Sequence, residues 1–228
     1  TVFLKLIFSN QTFYFNTLQP YPTYQPNNGN ISRLTFGITK QTGTFGGSEN
    51  SALKLRDRFT LHERELIRQL RTPLQVQRYL NSLSYNQEAK HATLRSFRGV
   101  IRNGTVHCME AAVAAAVILE QHRYPPLLLS FESIDHLDHV MFVYQRQGRW
   151  GSVARSRDPG LHGRKPLFRT PRNLALSYVE PYVDETGRIL GYAVVDLRTL
   201  GRYDWRLAPH NIWKTERLLQ EHPHRPIR

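Results

Sequence analysis

Cys108 is the only cysteine in this chain of 228 residues, and it is the residue best suited to covalent chemistry. The thiolate, not the thiol, is the nucleophile, so the position of the sulfur decides whether it reacts. We predict a helix capped by Thr105, which makes Cys108 its third residue. The helix dipole and the unpaired N–H groups there favour the thiolate. The position therefore indicates a reactive cysteine, although a lone cysteine beside an apolar helix is more often a small core residue.

His139 is the candidate base for this sulfur, because a catalytic cysteine needs a base and the base needs an orienting group. It opens an apolar segment, HVMFVY, with the alternation of a strand, and a loop containing glycine then predicts a hairpin. If the turn centres on Gln147 and Gly148, His139 faces Ser156, and Asp158 lies two residues farther on the same face. Diagonal neighbours lie about 7 to 8 Å apart, and a bulge or turn can close that gap. Asp158 is the predicted orienter, with Ser156 as the alternative.

The helix that carries Cys108 is the most apolar in the sequence. Its run from Met109 to Leu119 leaves no polar face, which is typical of a helix buried on nearly all sides, and the segment Tyr124-Pro125-Pro126 ends it. Four later segments are predicted as strands: 127–131, 139–144, 150–154 and 190–197. Helices first and an antiparallel sheet afterwards indicate the α+β class, with the buried cysteine helix packed against the sheet.

Capping patterns predict two helices before the cysteine. Thr60 and Glu63 have capping-box spacing at the start of LHERELIRQL, and Thr72 followed by Pro73 starts a second helix. Residues 84–102 are predicted to be mostly loop. Further helices are predicted over 171–178 and at the end of 205–219.

Three motifs, in this order, resemble the transglutaminase-like branch of the papain-like cysteine protease superfamily. They are a cysteine at the start of a buried helix (HCMEAA), a histidine that starts a strand (LDHVMFVY), and a strand led by tryptophan that runs to Asp-Pro (GRW to SRDPG). The stretch SRDPGLHGRKPLFR is also similar to bacterial transglutaminase-like proteins of undefined role. The resemblance implies that Cys108 is the nucleophile, His139 the base and Asp158 the orienter.

The resemblance extends from about residue 72 to 219 and implies a transglutaminase-like domain over 51–228. It implies thiol-dependent acyl transfer: hydrolysis of an amide or ester, or transamidation, because both pass through a thioester. The substrate is then a peptide, a protein or a small amide, no cofactor is needed, and the Cys108 N–H helps to hold the oxyanion. Residues 1–50 lie outside the resemblance. Their few charges and many Gln, Asn, Tyr, Pro and Gly residues predict a poorly ordered extension that contributes a peripheral strand.

A zinc site is the alternative interpretation of the polar residues around Cys108. The candidate ligands are His107, Cys108, His136, Asp138 and His139. His107 and Cys108 are adjacent, and a strand sends His136 and His139 to opposite faces, so the pattern argues against tetrahedral coordination.

Other residues have ordinary interpretations. Asp135 and Asp138 are typical of a loop and a strand entry, and His162, Arg164 and Lys165 either line the substrate entrance or are solvated. Three aromatic residues are predicted to belong to the core or a sheet edge: Tyr178, Tyr182 and Trp205.

The chain is strongly basic, with 31 Lys and Arg against 18 Asp and Glu and a formal net charge of +13. Such a charge attracts acidic partners, so the alternative function is a catalytically silent module whose basic surface binds nucleic acid or an acidic protein. Without an RNA-binding aromatic signature, a zinc-finger spacing or a helix-turn-helix pattern, nucleic acid is the less favoured partner. A single cysteine suits a reducing compartment, and no apolar run reaches the ~20 residues of a membrane span, so we predict a cytoplasmic location.

Overall fold

The computed structural model describes residues 6–8, 11–13, 55–89, 91–133, 139–181 and 189–227. The chain divides into two compact units, residues 1–45 and 46–228. In the first unit, strand β1 (Leu6–Phe8) pairs antiparallel with β2 (Gln11–Phe13). The rest of the predicted extension lies outside the described residues, so its poor order stays a prediction.

The predicted capping box at Thr60 is present, and the second helix starts at the predicted position with a capping box of its own. Helix α1 (Leu61–Gln69) begins after Thr60, whose hydroxyl accepts the Glu63 N–H at 3.2 Å while the Glu63 carboxylate accepts the Thr60 N–H at 2.8 Å. Helix α2 (Pro73–Ser82) begins after Thr72 in the same way, with proline at its first position. Each cap satisfies N–H groups that the first turn leaves unpaired, which fixes where the helix starts.

The prediction that residues 84–102 are mostly loop is wrong in part. Strand β3 (Ser84–Tyr85) lies at the start of this stretch, and helix α3 (Phe97–Asn103) lies at its end, capped by the Ser96 hydroxyl. The buried positions of α3, Phe97 and Val100, lie on one side of a short helix. The basic residues Arg95, Arg98 and Arg102 around these two positions hid this periodicity in the sequence.

The cysteine helix starts later than predicted. Thr105 belongs to strand β4 (Thr105–Val106), which pairs parallel with β3, so it does not cap the helix. Helix α4 (Cys108–Glu120) is capped by His107, and Cys108 is its first residue instead of its third. The side chains from Ala111 to Leu119 are fully buried, and α4 packs against two strands of the central sheet.

The central sheet has five strands and is antiparallel throughout. These strands are β5 (Leu127–Ser133), β6 (Val140–Arg146), β7 (Arg149–Val153), β8 (Ile189–Asp196) and β9 (Arg225–Pro226). Their order across the sheet is β7-β6-β5-β8-β9. The hairpin turn at Gln147 and Gly148 and its register are as predicted, because Phe142 pairs with Val153 and both turn residues have positive φ. The two-residue strand β9 was not predicted.

Each face of the sheet is covered by helices. Helix α4 packs on the face that carries Val140 and Phe142, and α2 and α3 pack against α4. Helix α5 (Pro171–Val179) covers the face that carries Met141 and Val143, and α6 (Trp213–Glu221) follows β8. The α+β class and the packing of the cysteine helix against an antiparallel sheet are therefore confirmed. None of the helices in the described residues is long and apolar enough to cross a bilayer.

Candidate active site

The structure brings Cys108 and His139, two of the predicted site residues, together. Cys108 is half-buried at the start of α4, and its thiol lies within hydrogen-bonding reach of two imidazoles, those of His107 and His139. His139 immediately precedes β6, and its backbone carbonyl accepts the Phe131 N–H at 3.2 Å. The sulfur therefore has two possible bases, of which the sequence predicted one.

The contact of His139 with a backbone carbonyl fixes the tautomer of its imidazole ring. His139 is buried, and its Nε2 lies 2.9 Å from the carbonyl oxygen of Leu161. A carbonyl only accepts hydrogen bonds, so Nε2 carries the proton and Nδ1 is the nitrogen available to the thiol. The Tyr178 ring, centred 5.9 Å away, packs against the imidazole. This arrangement suits a base, because Nδ1 is unprotonated in the neutral ring.

The structure does not place Asp158 or Ser156 in the orienting position. Asp158 is exposed, and its carboxylate accepts the Gly160 N–H at 2.8 Å, as the cap of a 3₁₀ turn over Pro159–Leu161. The Ser156 hydroxyl accepts the Asp158 N–H at 3.2 Å. The β6–β7 ladder ends at Val153, so the chain leaves the sheet before the predicted pairing can form. Asp158 thus contributes indirectly: it caps the turn that presents the Leu161 carbonyl to His139.

Arg164 holds this turn together. Its guanidinium donates to the carbonyls of His162 at 2.7 Å and Gly160 at 2.6 Å, which flank the carbonyl used by His139. It also lies 4.2 Å above the Tyr178 ring, so the same side chain fixes the turn and the aromatic wall. Arg164 is therefore a positioning residue and not simply solvated, and its place at a substrate entrance stays a prediction. Sequence patterns did not indicate this, because its partners are backbone carbonyls.

His107 caps α4 and contacts the same thiol. Its Nε2 lies 2.9 Å from the Thr93 carbonyl, and its Nδ1 accepts the Met109 N–H at 3.3 Å. Burial lowers the pKa of His107, but its hydrogen bond with Cys108 and the nearby carboxylate of Glu110 raise it more, to about 9. The bond from Met109 needs an unprotonated Nδ1, so the ring loses this cap when Nδ1 becomes protonated. His107 therefore stabilises the thiolate at the expense of the helix cap.

Glu110 anchors the segment that leads into the site. It is fully buried, and its carboxylate accepts hydrogen bonds from the Arg95 side chain at 2.6 and 2.7 Å and from the His107 N–H at 3.2 Å. Burial raises the pKa of Glu110, but the bonds from Arg95 and the charge of His107 outweigh this effect and hold the pKa below its ordinary value. The motif HCME contained a signal for this residue, because a glutamate three positions after the N-cap completes a capping box.

The thiol of Cys108 ionises unusually easily. Burial raises its pKa, but the hydrogen bonds and positive charges of His107 and His139 lower it further, to about 6. An ordinary cysteine has a pKa of about 8.5, so the arrangement favours the nucleophilic form at neutral pH.

The described residues contain no group of three or more His, Cys, Asp or Glu side chains that could hold a metal ion. Of the alternative zinc ligands, His136 and Asp138 lie outside the described residues, as do Asp135 and Tyr182. Tyr178 and Trp205 are buried, as predicted.

No family model matches this chain, and no curated protein matches it either.

Proposed function

We propose that this protein carries out thiol-dependent acyl transfer in the manner of the transglutaminase-like branch of the papain-like superfamily. The observation that carries the proposal is the placement of the Cys108 thiol at the N-terminus of a buried helix, within reach of a histidine whose other nitrogen is fixed. A nucleophile, a base and an orienting acceptor are the parts that such chemistry requires. Here the orienting acceptor is the Leu161 carbonyl.

The reaction runs in two halves. The Cys108 sulfur attacks the carbonyl carbon of an amide or ester, and its proton passes through Nδ1 of His139 to the departing amine or alcohol. The thioester that forms is then attacked by water or an amine, whose proton His139 accepts and returns to the sulfur. The Cys108 N–H, at the positive end of α4, donates to the oxyanion in both halves.

His139 suits the role of base better than His107 does. The Nδ1 of His107 already accepts the Met109 N–H, whereas the structure gives His139 a protein hydrogen bond only through Nε2, apart from its contact with the thiol. A base must take up and release a proton in each turnover, whereas His107, with its pKa raised to about 9, keeps its proton at neutral pH. We therefore assign proton transfer to His139 and thiolate stabilisation to His107.

The proposal is tested with an activated ester such as p-nitrophenyl acetate. The parent should release a burst of one p-nitrophenol per chain and carry one acetyl group on the peptide that contains Cys108. Cys108→Ala should abolish the burst, and His139→Gln should slow it. His122→Gln is a matched control, because His122 also donates from Nε2 to a backbone carbonyl, that of Ile67 at 2.8 Å, near the other end of α4. A burst that survives Cys108→Ala would refute the proposal.

A second candidate function is binding of an acidic partner, favoured by one cleft. A cavity of about 360 Å³ has an apolar wall from Phe59 and Ile67. Its remaining lining is polar and mostly cationic: Arg56, Arg64, Arg68, Arg71, Gln121 and His122. If this cleft binds an acidic peptide, the logarithm of the association constant should fall linearly with the logarithm of the salt concentration, as it does when proteins bind polyanions. Absence of binding at low salt would leave the cleft without this role.

A further inference from the structure

Strand pairing places Tyr85 beside the start of the cysteine helix. Strands β3 and β4 are parallel, and Tyr85 is the partner of Val106, two residues before Cys108. The next residue continues the attachment, because the Asn86 N–H donates to the Val106 carbonyl at 3.1 Å. The Asn86 side chain also reaches the Glu110 carboxylate at 3.3 Å. The backbone that carries Tyr85 is therefore tied to both sides of Cys108.

The Tyr85 hydroxyl lies close to the backbone N–H of Cys108. The thiol of Cys108 is also near enough for its charge to act on the phenol. The same N–H is the donor that the proposed reaction uses for the oxyanion. A carbonyl oxygen that accepts from this N–H therefore lies beside the phenolic O–H of Tyr85.

The Tyr85 hydroxyl keeps its proton under the conditions in which the thiol is ionised. Burial raises the pKa of Tyr85, and the charge of the Cys108 thiolate adds to this effect, so that the pKa reaches about 12 although Arg157 lowers it. The Arg155 guanidinium carbon lies 5.6 Å from the centre of the Tyr85 ring. A cation over the ring holds it in place and leaves the hydroxyl a good donor. The group that faces the reacting oxygen is therefore a neutral O–H.

We propose that the Tyr85 hydroxyl is the second donor of the oxyanion hole, paired with the backbone N–H of Cys108, in the acyl transfer assigned to this site. This inference rests on that proposed function. As Cys108 attacks, the carbonyl π electrons move to oxygen, and Tyr85 donates a hydrogen bond to the resulting oxyanion without transferring its proton. When the intermediate collapses, the electrons return, the leaving group departs, and the hydrogen bond to the acyl oxygen weakens.

The experiment compares two reactions of the same sulfur in Tyr85→Phe. Acylation by p-nitrophenyl acetate passes through an oxyanion, whereas alkylation by iodoacetamide is a direct displacement at carbon and forms none. Both rates are measured at a pH where the thiol is fully ionised, so that a change in the pKa of Cys108 does not enter. Tyr79→Phe is the matched control, since Tyr79 is a half-buried tyrosine on α2.

Loss of one oxyanion donor typically slows the chemical step about 10²–10³-fold, so we expect acylation of Tyr85→Phe to fall by that factor while alkylation stays at the parent rate. Equal slowing of both reactions, no change in either, or faster acylation would overturn the role of Tyr85, the last because it would show that the hydroxyl blocks the hole. A parent that is alkylated but never acylated would refute acyl transfer itself, and the role of Tyr85 with it. The two failures are therefore distinct.

Discussion

The dependence of Cys108 on its two histidines is open to a direct test through His139→Gln. Glutamine cannot take up a proton near neutral pH, yet its amide N–H can still donate to the Leu161 carbonyl that now accepts from Nε2. The substitution therefore removes the base and its charge while it preserves a polar group in a buried site. Because the positive charge and hydrogen bond of His139 lower the pKa of Cys108, that pKa must rise in the variant.

The difference in reactivity between Cys108 and an ordinary thiol depends strongly on pH. With a pKa of about 6, Cys108 is roughly 90% thiolate at pH 7, against about 3% for an ordinary thiol of pKa ~8.5. The intrinsic reactivity of each thiolate falls with its pKa, by roughly tenfold over this range. The net advantage of Cys108 is therefore only about threefold at pH 7 but more than tenfold at pH 6. The diagnostic quantity is the midpoint of the pH profile, not the rate at neutral pH.

The assay is the rate of alkylation by iodoacetamide between pH 4.5 and 9.5, with the urea-unfolded chain as the reference for an ordinary thiol. We expect a midpoint near 6 for the folded parent. The midpoint should move upward in His139→Gln and also in His107→Gln, because each histidine contributes a hydrogen bond and a charge. His122→Gln should leave it unchanged.

Two results would refute this reasoning. A folded parent that titrates near the midpoint of the unfolded chain would mean that the imidazoles do not stabilise the thiolate. A midpoint that stays in place in His139→Gln, but moves in His107→Gln, would assign the whole effect to the helix cap and remove His139 from the mechanism.

Three further outcomes are expected from the packing around the site. Glu110→Ala leaves the Arg95 guanidinium without its buried partner, so the free energy of unfolding should fall by about 3 to 5 kcal/mol in a urea titration. Asp158→Asn should keep the cap of the turn and near-parent acylation, whereas Asp158→Ala should slow acylation measured with p-nitrophenyl acetate. Gly163→Ala would put a Cβ 2.5 Å from the Ser152 backbone oxygen and against the Gln77 side chain, so its unfolding temperature should fall and the site turn should shift.

The linked pH dependence of stability has opposite signs for the two members of the Cys108–His107 pair. The pKa of Cys108 is lowered, so its contribution is fully present above about 8.5, its unfolded value, and is lost as the pH falls through about 6. The pKa of His107 is raised, so its contribution is fully present below about 6.5 and is lost as the pH rises through about 9. The advantage of the parent over Cys108→Ala in free energy of unfolding should therefore be largest between about pH 6 and pH 9, as measured by urea unfolding across pH. A difference that does not vary with pH would contradict the ion pair.

The sequence indicated the candidate nucleophile and the candidate base because both positions depend on regular patterns. The apolar run after Cys108 predicts a buried helix, and the alternation after His139 with a glycine turn predicts a hairpin, and each pattern follows from helix or strand geometry. The orienter could not be predicted in this way. Its acceptor is the main-chain carbonyl of Leu161, which every residue possesses, so no side-chain type marks it.

The start of the cysteine helix was misplaced for a related reason. Threonine is a favoured cap and histidine is not, so Thr105 was the better choice on local preference. The parallel pairing of β3 with β4 removes Thr105 from the helix, and such pairing depends on contacts between distant segments of chain. The Glu110 capping box would have corrected the count, because it points back to His107.

Replacing an orienting carboxylate by a carbonyl has an electrostatic consequence for the whole site. A carbonyl fixes the orientation of the His139 ring but places no full negative charge beside it. The buried carboxylate of this site lies instead at Glu110, 3.6 Å from His107 and held by Arg95. Orientation and charge, which one acidic residue commonly supplies together, are thus divided here between the Leu161 turn and the Glu110 cluster. In the proposed mechanism this division gives the two histidines different tasks: His139 exchanges the proton, and His107, next to the carboxylate, contributes to the charge that keeps the sulfur ionised.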